Sequence, residues 1–193
     1  MIYPRYGSIF SKYSQSANTP EKAVTACHLA LTEFWHEFLN YYAFAKFMFK
    51  GTAVTGPTAV PVAGPIGGLN ASSMLNIPNE SYIKAQLQCG GDPFIGLFKL
   101  FSYTITMTVW QIDCKAGGFL TPFPAMLAAD FTTQAALLKA TMYAKAPATH
   151  EEAMDIMSDG VKECLQTCIN EVPYVGSAGA TQLTGTMTIQ FGL

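Results

Sequence analysis

Residues Gly51 to Met74 read GTAVTGPTAVPVAGPIGGLNASSM, a stretch without a charged side chain that follows directly on an aromatic run. Long segments without regular structure are uncommon inside compact domains, and disordered segments are normally rich in charge. This one consists mainly of glycine, proline, alanine, valine and threonine, and its prolines limit the entropy lost on ordering. We therefore expect an ordered loop that protrudes at about residues 51–80, with a short hairpin as one interpretation, and that packs on a partner.

The segment before this loop begins with Thr-Pro-Glu at residues 19–21, which joins an N-cap, a proline at the first helical position and a carboxylate near the positive helix end. A glycine that follows Lys50 is a typical C-terminal stop, so the pattern predicts a helix over residues 20–50. Phe44 and Phe47 lie off its main apolar stripe, which makes the C-terminal half apolar nearly all round. We expect another subunit to cover part of that half.

The last residues of the chain change from a helical period to strict alternation. In TQLTGTMTIQ, residues 181–190, the apolar Leu183, Met187 and Ile189 alternate with polar positions, most of them threonine. This pattern predicts a half-buried C-terminal strand. A single strand is not stable alone, so we expect it to pair with the 51–74 segment or with a strand of the next subunit.

Between these two regions, end signals and apolar periodicity predict further helices. The Asp-Pro pair at residues 92–93 opens one, and Thr-His-Glu-Glu at residues 149–152 is a capping-box pattern that opens another. The predicted fold class is α+β and mostly helical, with four or so helices, a long Gly/Pro-rich loop and a C-terminal strand. The predicted helical segments after the loop are 81–88, 93–115, 125–146 and 150–171.

Residues 1–18 show no helical or strand period and carry Tyr3, Tyr6 and Phe10 among serine, glycine and proline. Disordered leaders are poor in aromatic residues, so we interpret this segment as an N-terminal arm laid along its own domain or a neighbouring subunit. Residues 19–193 are then one structural domain.

The composition of the chain limits its function. Charged residues are 12% of the sequence, against about 25% in typical soluble domains. A net charge of −2 without a basic cluster gives no footprint for direct nucleic-acid binding. The five cysteines form an odd set without disulfide spacing, and the N-terminus carries no export-signal pattern, so we expect an intracellular chain with reduced thiols. Low charge indicates a surface hidden against neighbours or lipid.

A membrane-associated helical protein is the first alternative. It would use residues 94–112 and 38–49 as apolar segments. The first of these contains several threonines and the second is too short to span a bilayer, so our reading favours a protein assembly without a membrane.

A small-ligand or metal-binding helical domain is the second alternative. Glu33 and His36 have the Glu-x-x-His spacing of di-iron sites, but the chain has no second such element. Cys164 and Cys168 share a helix face on an apolar stripe, where buried thiols are more typical than zinc ligands. The three histidines have ordinary helix-surface explanations, and no nucleophile has a persuasive base partner. We therefore predict neither catalytic residues nor a cofactor or metal.

An aromatic N-terminal segment, cap-proline helix starts, loops such as TGPTAVPVAGPIGG and a closing GTMTIQFGL strand together resemble the small structural proteins of tailed-bacteriophage virions. The resemblance implies a homo-oligomeric neck, tail or baseplate subunit, made in the host cytoplasm and located in the virion. Its implied partners are copies of itself and other virion structural proteins. The residues that we predict at subunit interfaces are Tyr3, Tyr6, Phe10, Phe44, Phe47, Val60, Ile66, Leu69, Met187, Ile189 and Phe191.

Overall fold

The computed structural model describes residues 4–38, 47–65, 68–69, 75–88, 92–107, 112–113, 119–122, 131–169, 172–178 and 180–189. Within these ranges the helices are α1 (Tyr6–Ser14), α2 (Pro20–Glu37), α3 (Glu80–Gln88), α4 (Pro93–Met107), α5 (Phe131–Lys145) and α6 (His150–Ile169). The strands are β1 (Phe47–Thr55), β2 (Thr58–Pro65), β3 (Gly68–Leu69), β4 (Ile112–Asp113), β5 (Phe119–Pro122), β6 (Val172–Ala178) and β7 (Thr181–Ile189). The predicted α+β, mostly helical class is confirmed.

Side-chain caps fix the helix starts that the sequence predicts. Thr19 Oγ1 accepts a hydrogen bond from the Lys22 backbone N–H at 3.3 Å. Asp92 Oδ1 accepts one from the Phe94 N–H at 3.0 Å. The predicted capping box is present in full, because Thr149 Oγ1 accepts from the Glu152 N–H at 3.2 Å and Glu152 Oε2 accepts from the Thr149 N–H at 3.3 Å. These bonds satisfy backbone donors that have no partner inside their helix.

The helix predicted over residues 20–50 is wrong in its C-terminal part. Helix α2 ends at Glu37, and β1 begins at Phe47. Met48, Phe49 and Lys50, the last three residues of the predicted helix, belong to this strand. They lie between β2 and β7 and pair with both, so cross-strand pairing outweighs the apolar period that favours a helix.

All described strands form one antiparallel sheet in the order β2-β1-β7-β6-β5-β4-β3. The hairpin interpretation of the Gly/Pro-rich segment is confirmed, since β1 and β2 pair from Thr55↔Thr58 to Met48↔Pro65. The C-terminal strand is confirmed as well. β7 pairs with β1, as expected for this segment, and also with β6, which the sequence analysis did not identify as a strand.

One further helix boundary differs from the prediction. Helix α4 ends at Met107 instead of residue 115, and residues 112–113 belong to strand β4. The threonine-rich stretch before that strand has side chains that favour the extended chain, which accounts for the early end. Helix α5 is confirmed over residues 131–145, and the predicted start at residue 125 lies outside the described residues. Helix α6 agrees closely with its prediction.

The core is a cluster of aromatic and aliphatic side chains from α1, α2, α4 and α6, joined by Ile83 of α3 and by Ala135 and Leu138 of α5. Phe34 and Trp35 of α2 meet Phe101 of α4 there, with ring centroids 5.5 Å and 5.7 Å from that of Phe101. Contacts between rings at these distances add to the stabilisation from area burial. No helix in the described part of the chain has the length and apolarity needed to cross a bilayer.

Residues 4–14 are a packed part of this core, and the segment interpreted as an N-terminal arm contains a helix that was not predicted. Helix α1 lies against α2 and α6, and its Tyr6 is 1% exposed. The Tyr6 ring meets Phe101 edge-on at a centroid distance of 5.1 Å. Tertiary packing of three side chains, Tyr6, Ile9 and Phe10, stabilises a helix that is too short to be stable alone.

Candidate assembly surface

The tip of the β1–β2 hairpin is an exposed part of the described chain. Its turn has Gly56 at a φ of 57° followed by Pro57, the pattern of a type II′ turn. Every residue from Thr55 to Pro61 is exposed, and Val60 keeps 52% of its surface accessible. Neighbouring side chains on a strand point to opposite faces, so both faces of this tip are open.

Nearer the domain, the two faces of the sheet differ. Ala53 on β1 packs against the helical core, so the face that carries it is the inner one. Lys50 and Thr52 lie two positions apart on the opposite face, and they pair with Thr186 and Thr184 of β7. Both of these β7 threonines are exposed. Among the described side chains of this outer face on β1, β2 and β7, Lys50 is the one charged group, and Thr52, Thr184 and Thr186 supply hydroxyls beside it.

An apolar groove on the helical side is the second notable surface feature. It has a volume of about 190 Å³ and lies among five helices. Tyr6 and Cys27 are buried in it, with Tyr6 Oη and Cys27 Sγ 3.9 Å apart. The remaining lining side chains are Phe10, Ala23, Leu87, Pro93, Leu97 and Met157.

Cys27 is unsuited to nucleophilic chemistry in this setting. Burial raises the pKa of its thiol to about 11, although the hydrogen bond with Tyr6 opposes the shift. Burial also raises the pKa of the Tyr6 hydroxyl well above its ordinary value, with the nearby Cys27 as the next cause. Since the thiolate is the nucleophile, a thiol that stays protonated at neutral pH is inert.

Glu33, one half of the Glu-x-x-His pattern, binds groups of α1. The Lys12 ammonium donates to its carboxylate oxygens at 2.8 and 3.0 Å, and the Tyr13 hydroxyl donates to Oε2. These hydrogen bonds, with Lys12 the larger cause, lower the pKa of the Glu33 carboxyl. They also raise the pKa of the Lys12 ammonium. The carboxylate thus links α1 to α2, which is a structural use of this side chain.

The other residues considered as metal ligands do not converge in the described structure. His28 Nδ1 lies 3.0 Å from the Pro78 carbonyl oxygen, at the contact between α2 and the segment before α3. Cys164 is buried in the core, and the side chain of Cys168 lies outside the description. No three His, Cys, Asp or Glu side chains within the described ranges are arranged to hold a metal ion.

The residues predicted at subunit interfaces fall into different environments. The Tyr6 side chain is enclosed in the core of its own chain and leaves no surface for a second one, so that prediction is wrong. Phe10 is half-buried, stacks on Tyr6 and lines the apolar groove. Val60 lies at the exposed hairpin tip.

The backbone alone is described for four more of these residues, and the rest lie outside the described ranges. Phe47 and Ile189 are partners in the β1–β7 register, with Met187 two positions along β7. Leu69 pairs with Ile112 in β3–β4. The predicted interface residues outside the described ranges are Tyr3, Phe44, Ile66 and Phe191.

Other exposed residues of the tip were missed by the sequence reasoning, although a signal for them exists. Gly56-Pro57 stands between two runs rich in threonine, valine and alanine, which is the pattern of a two-residue hairpin loop. That signal places Thr55 and Thr58 on either side of the turn. The alternation of the C-terminal strand places Thr184 and Thr186 on its polar face. Their position beside β1 follows only from the β1–β7 register.

Comparisons with protein-family models, with curated proteins and with solved structures give no match for this chain.

Proposed function

We propose that this chain is a non-enzymatic structural subunit of a large assembly, and that the assembly is a tailed-bacteriophage virion. The observation that carries the assembly part is the β1–β2 hairpin, whose tip is exposed on both faces and carries no charge from Thr55 to Pro61. The resemblance of the chain to neck, tail and baseplate proteins supports the virion part. The partners in this proposal are further copies of the chain and other structural proteins of the particle.

The low charge of the chain supports the same function. Charged residues make up 12% of the chain, so few charges are available to keep a monomer dispersed. Large apolar side chains are also exposed on the helices, including Leu137 at 53% and Tyr143 at 74% exposure on α5.

A charge placed at the hairpin tip tests the proposal. We expect sedimentation velocity of the untagged protein to show a discrete oligomer that Val60→Asp dissociates, because the exposed valine would be buried on assembly. Val60→Thr is the matched control, since it keeps the shape and β propensity without adding a charge. A monomeric wild type, or an oligomer that Val60→Asp leaves intact, would contradict assembly through this tip.

The apolar groove supports a second candidate function, the binding of a small apolar molecule. A dry apolar cavity of about 150 Å³ is known to bind benzene, and this groove is somewhat larger. Benzene itself is a suitable probe. We expect it to shift the NMR signals of Leu97 and Met157 methyl groups, and we expect Ala23→Leu, which fills the groove, to abolish the shift. Unchanged methyl signals in the wild type would exclude this candidate.

A further inference from the structure

We propose that the outer edge of β2 is protected against pairing with another strand, so that assembly through the hairpin does not proceed by strand addition at this edge. This inference deepens the proposed function and rests on it for the existence of a partner. The protection comes from Pro61 and Pro65, which occupy two of the four positions where the backbone N–H of β2 would point away from the sheet.

The turn sets which groups of β2 point outward. In a two-residue hairpin loop the flanking residues, here Thr55 and Thr58, form a hydrogen-bonded pair. Along an antiparallel ladder, hydrogen-bonded and non-hydrogen-bonded pairs alternate. Val60, Val62 and Gly64 therefore direct their N–H and C=O groups toward β1. The outward positions are Ala59, Pro61, Ala63 and Pro65.

The other tight hairpin of the sheet gives the same alternation independently. β6 and β7 are joined with Ala178 and Thr181 as their last pair, which makes this pair a hydrogen-bonded one. Because residues along β7 direct their backbone groups alternately to β6 and to β1, Gln182 and Thr184 form hydrogen-bonded pairs with Val54 and Thr52 of β1. The same two β1 residues cannot also bond to β2, so Ala59 and Pro61 opposite them point outward. Both turns assign the same register of hydrogen bonds.

A strand that approached this edge would find an incomplete set of partners. Among the described strands, β2 has a neighbour on one side only. Its open side offers four carbonyl oxygens but N–H donors only at Ala59 and Ala63, because proline has no backbone N–H. Carbonyl groups of an incoming strand opposite Pro61 and Pro65 would lose water without gaining a donor. Proline on an edge strand is a recognised means of preventing edge-to-edge association.

Site-resolved amide hydrogen exchange on the assembled protein tests this inference. We expect fast exchange at Ala59 and Ala63 and at least tenfold slower exchange at Val60, Val62 and Gly64, because only the latter N–H groups are bonded inside the sheet. Strong protection of Ala59 and Ala63 that appears on assembly would show a strand added at this edge, and would overturn the proposal.

The double substitution Pro61→Thr and Pro65→Thr tests the protective role of the prolines. It restores two outward donors, so we expect it to produce new, concentration-dependent association that binds thioflavin T, in addition to any native oligomer. The matched control is Val60→Thr with Val62→Thr, which adds the same residues at inward-bonded positions and should not associate in this way. If the proline variant associated no more than the wild type does, the inference would be overturned. A monomeric wild type counts against the proposed function alone, because the proline variant still decides whether the edge is protected.

Discussion

At the scale of single residues, Gly7 shows how closely α1 is packed on its neighbours. The Gly7 N–H donates to Ser158 Oγ at 2.9 Å, and the Ser158 hydroxyl in turn donates to the Met154 carbonyl at 2.8 Å. A Cβ at position 7 would overlap the Met154 carbonyl oxygen, which belongs to the backbone of α6 and has little freedom to move. Glycine is the residue that permits this distance between the two helices.

We predict that Gly7→Ala destabilises the protein by about 1–3 kcal/mol, as overpacking of a rigid contact does. Gly160→Ala is the control, because its Cβ would meet a flexible atom, Leu138 Cδ1, at 2.7 Å, and alanine is the better helix former. Urea denaturation of both variants measures the difference. A Gly7→Ala variant as stable as Gly160→Ala would mean that α1 lies farther from α6 than described.

Glu33 gives the protein a predictable dependence on pH. Because Lys12, first, and Tyr13 hold the pKa of this carboxyl below its ordinary value of 4.5, the ionised form is bound more tightly in the folded state. Its contribution is therefore present above that ordinary value and is lost as the pH falls through the lower pKa of the folded state. Glu33→Gln should lower the free energy of unfolding at neutral pH and converge with the wild type in acid.

Urea unfolding over an acid titration tests this prediction, with Glu151→Gln, an exposed carboxylate at the start of α6, as the control. The wild type and Glu33→Gln curves should separate as the pH rises through the region below 4.5. Parallel curves for the two proteins would show that the Lys12–Glu33 contact does not stabilise the fold.

At the scale of elements, helix starts were predictable and several helix ends were not. Thr19, Asp92 and the 149–152 capping box act through bonds to residues two or three positions away, so the sequence contains their complete signal. The end of α2 and the start of β1 depend on β7, whose partner residues are more than 120 positions away in the chain. A local period cannot contain that information, so the aromatic run was assigned to a helix.

Helix α1 is a different case, because its sequence contains a signal that was overlooked. Tyr6, Ile9, Phe10 and Tyr13 recur at helical spacing and pack in or against the core, where α1 contacts α2 and α6. We predict that Tyr6→Ala with Ile9→Ala costs on the order of 5 kcal/mol, because two buried side chains leave cavities in the core. Arg5→Ala, which removes an exposed ion pair with Asp155, should cost less than about 1 kcal/mol.

Guanidinium unfolding followed by the fluorescence of the buried Trp35 measures both variants. If the double variant at Tyr6 and Ile9 were as stable as the wild type, residues 4–14 would behave as a detachable arm, as the sequence first indicated.

At the scale of the whole molecule, the functional hypothesis depends more on composition than on any motif. Low charge and an uncharged Gly/Pro-rich segment indicate contact with other chains, and this segment forms a hairpin that is open on both faces at its tip. The individual interface residues were less predictable. Tyr6 and Val60 were both predicted at subunit interfaces, yet Tyr6 is in the core and Val60 is at the tip. The packing of α1 against α2 and α6 separates the two cases.

The most direct test of assembly through the hairpin is the mass of the untagged protein by light scattering after size exclusion, in buffer without detergent. The comparison is with a shortened hairpin in which Asn-Gly replaces residues 52–61, so that Gly51 and Val62 still pair across a tight turn. We predict a discrete oligomer for the wild type and the mass of one folded chain for the shortened variant. A wild type at 20.8 kDa, or an oligomer that survives the shortening, would contradict assembly through the hairpin.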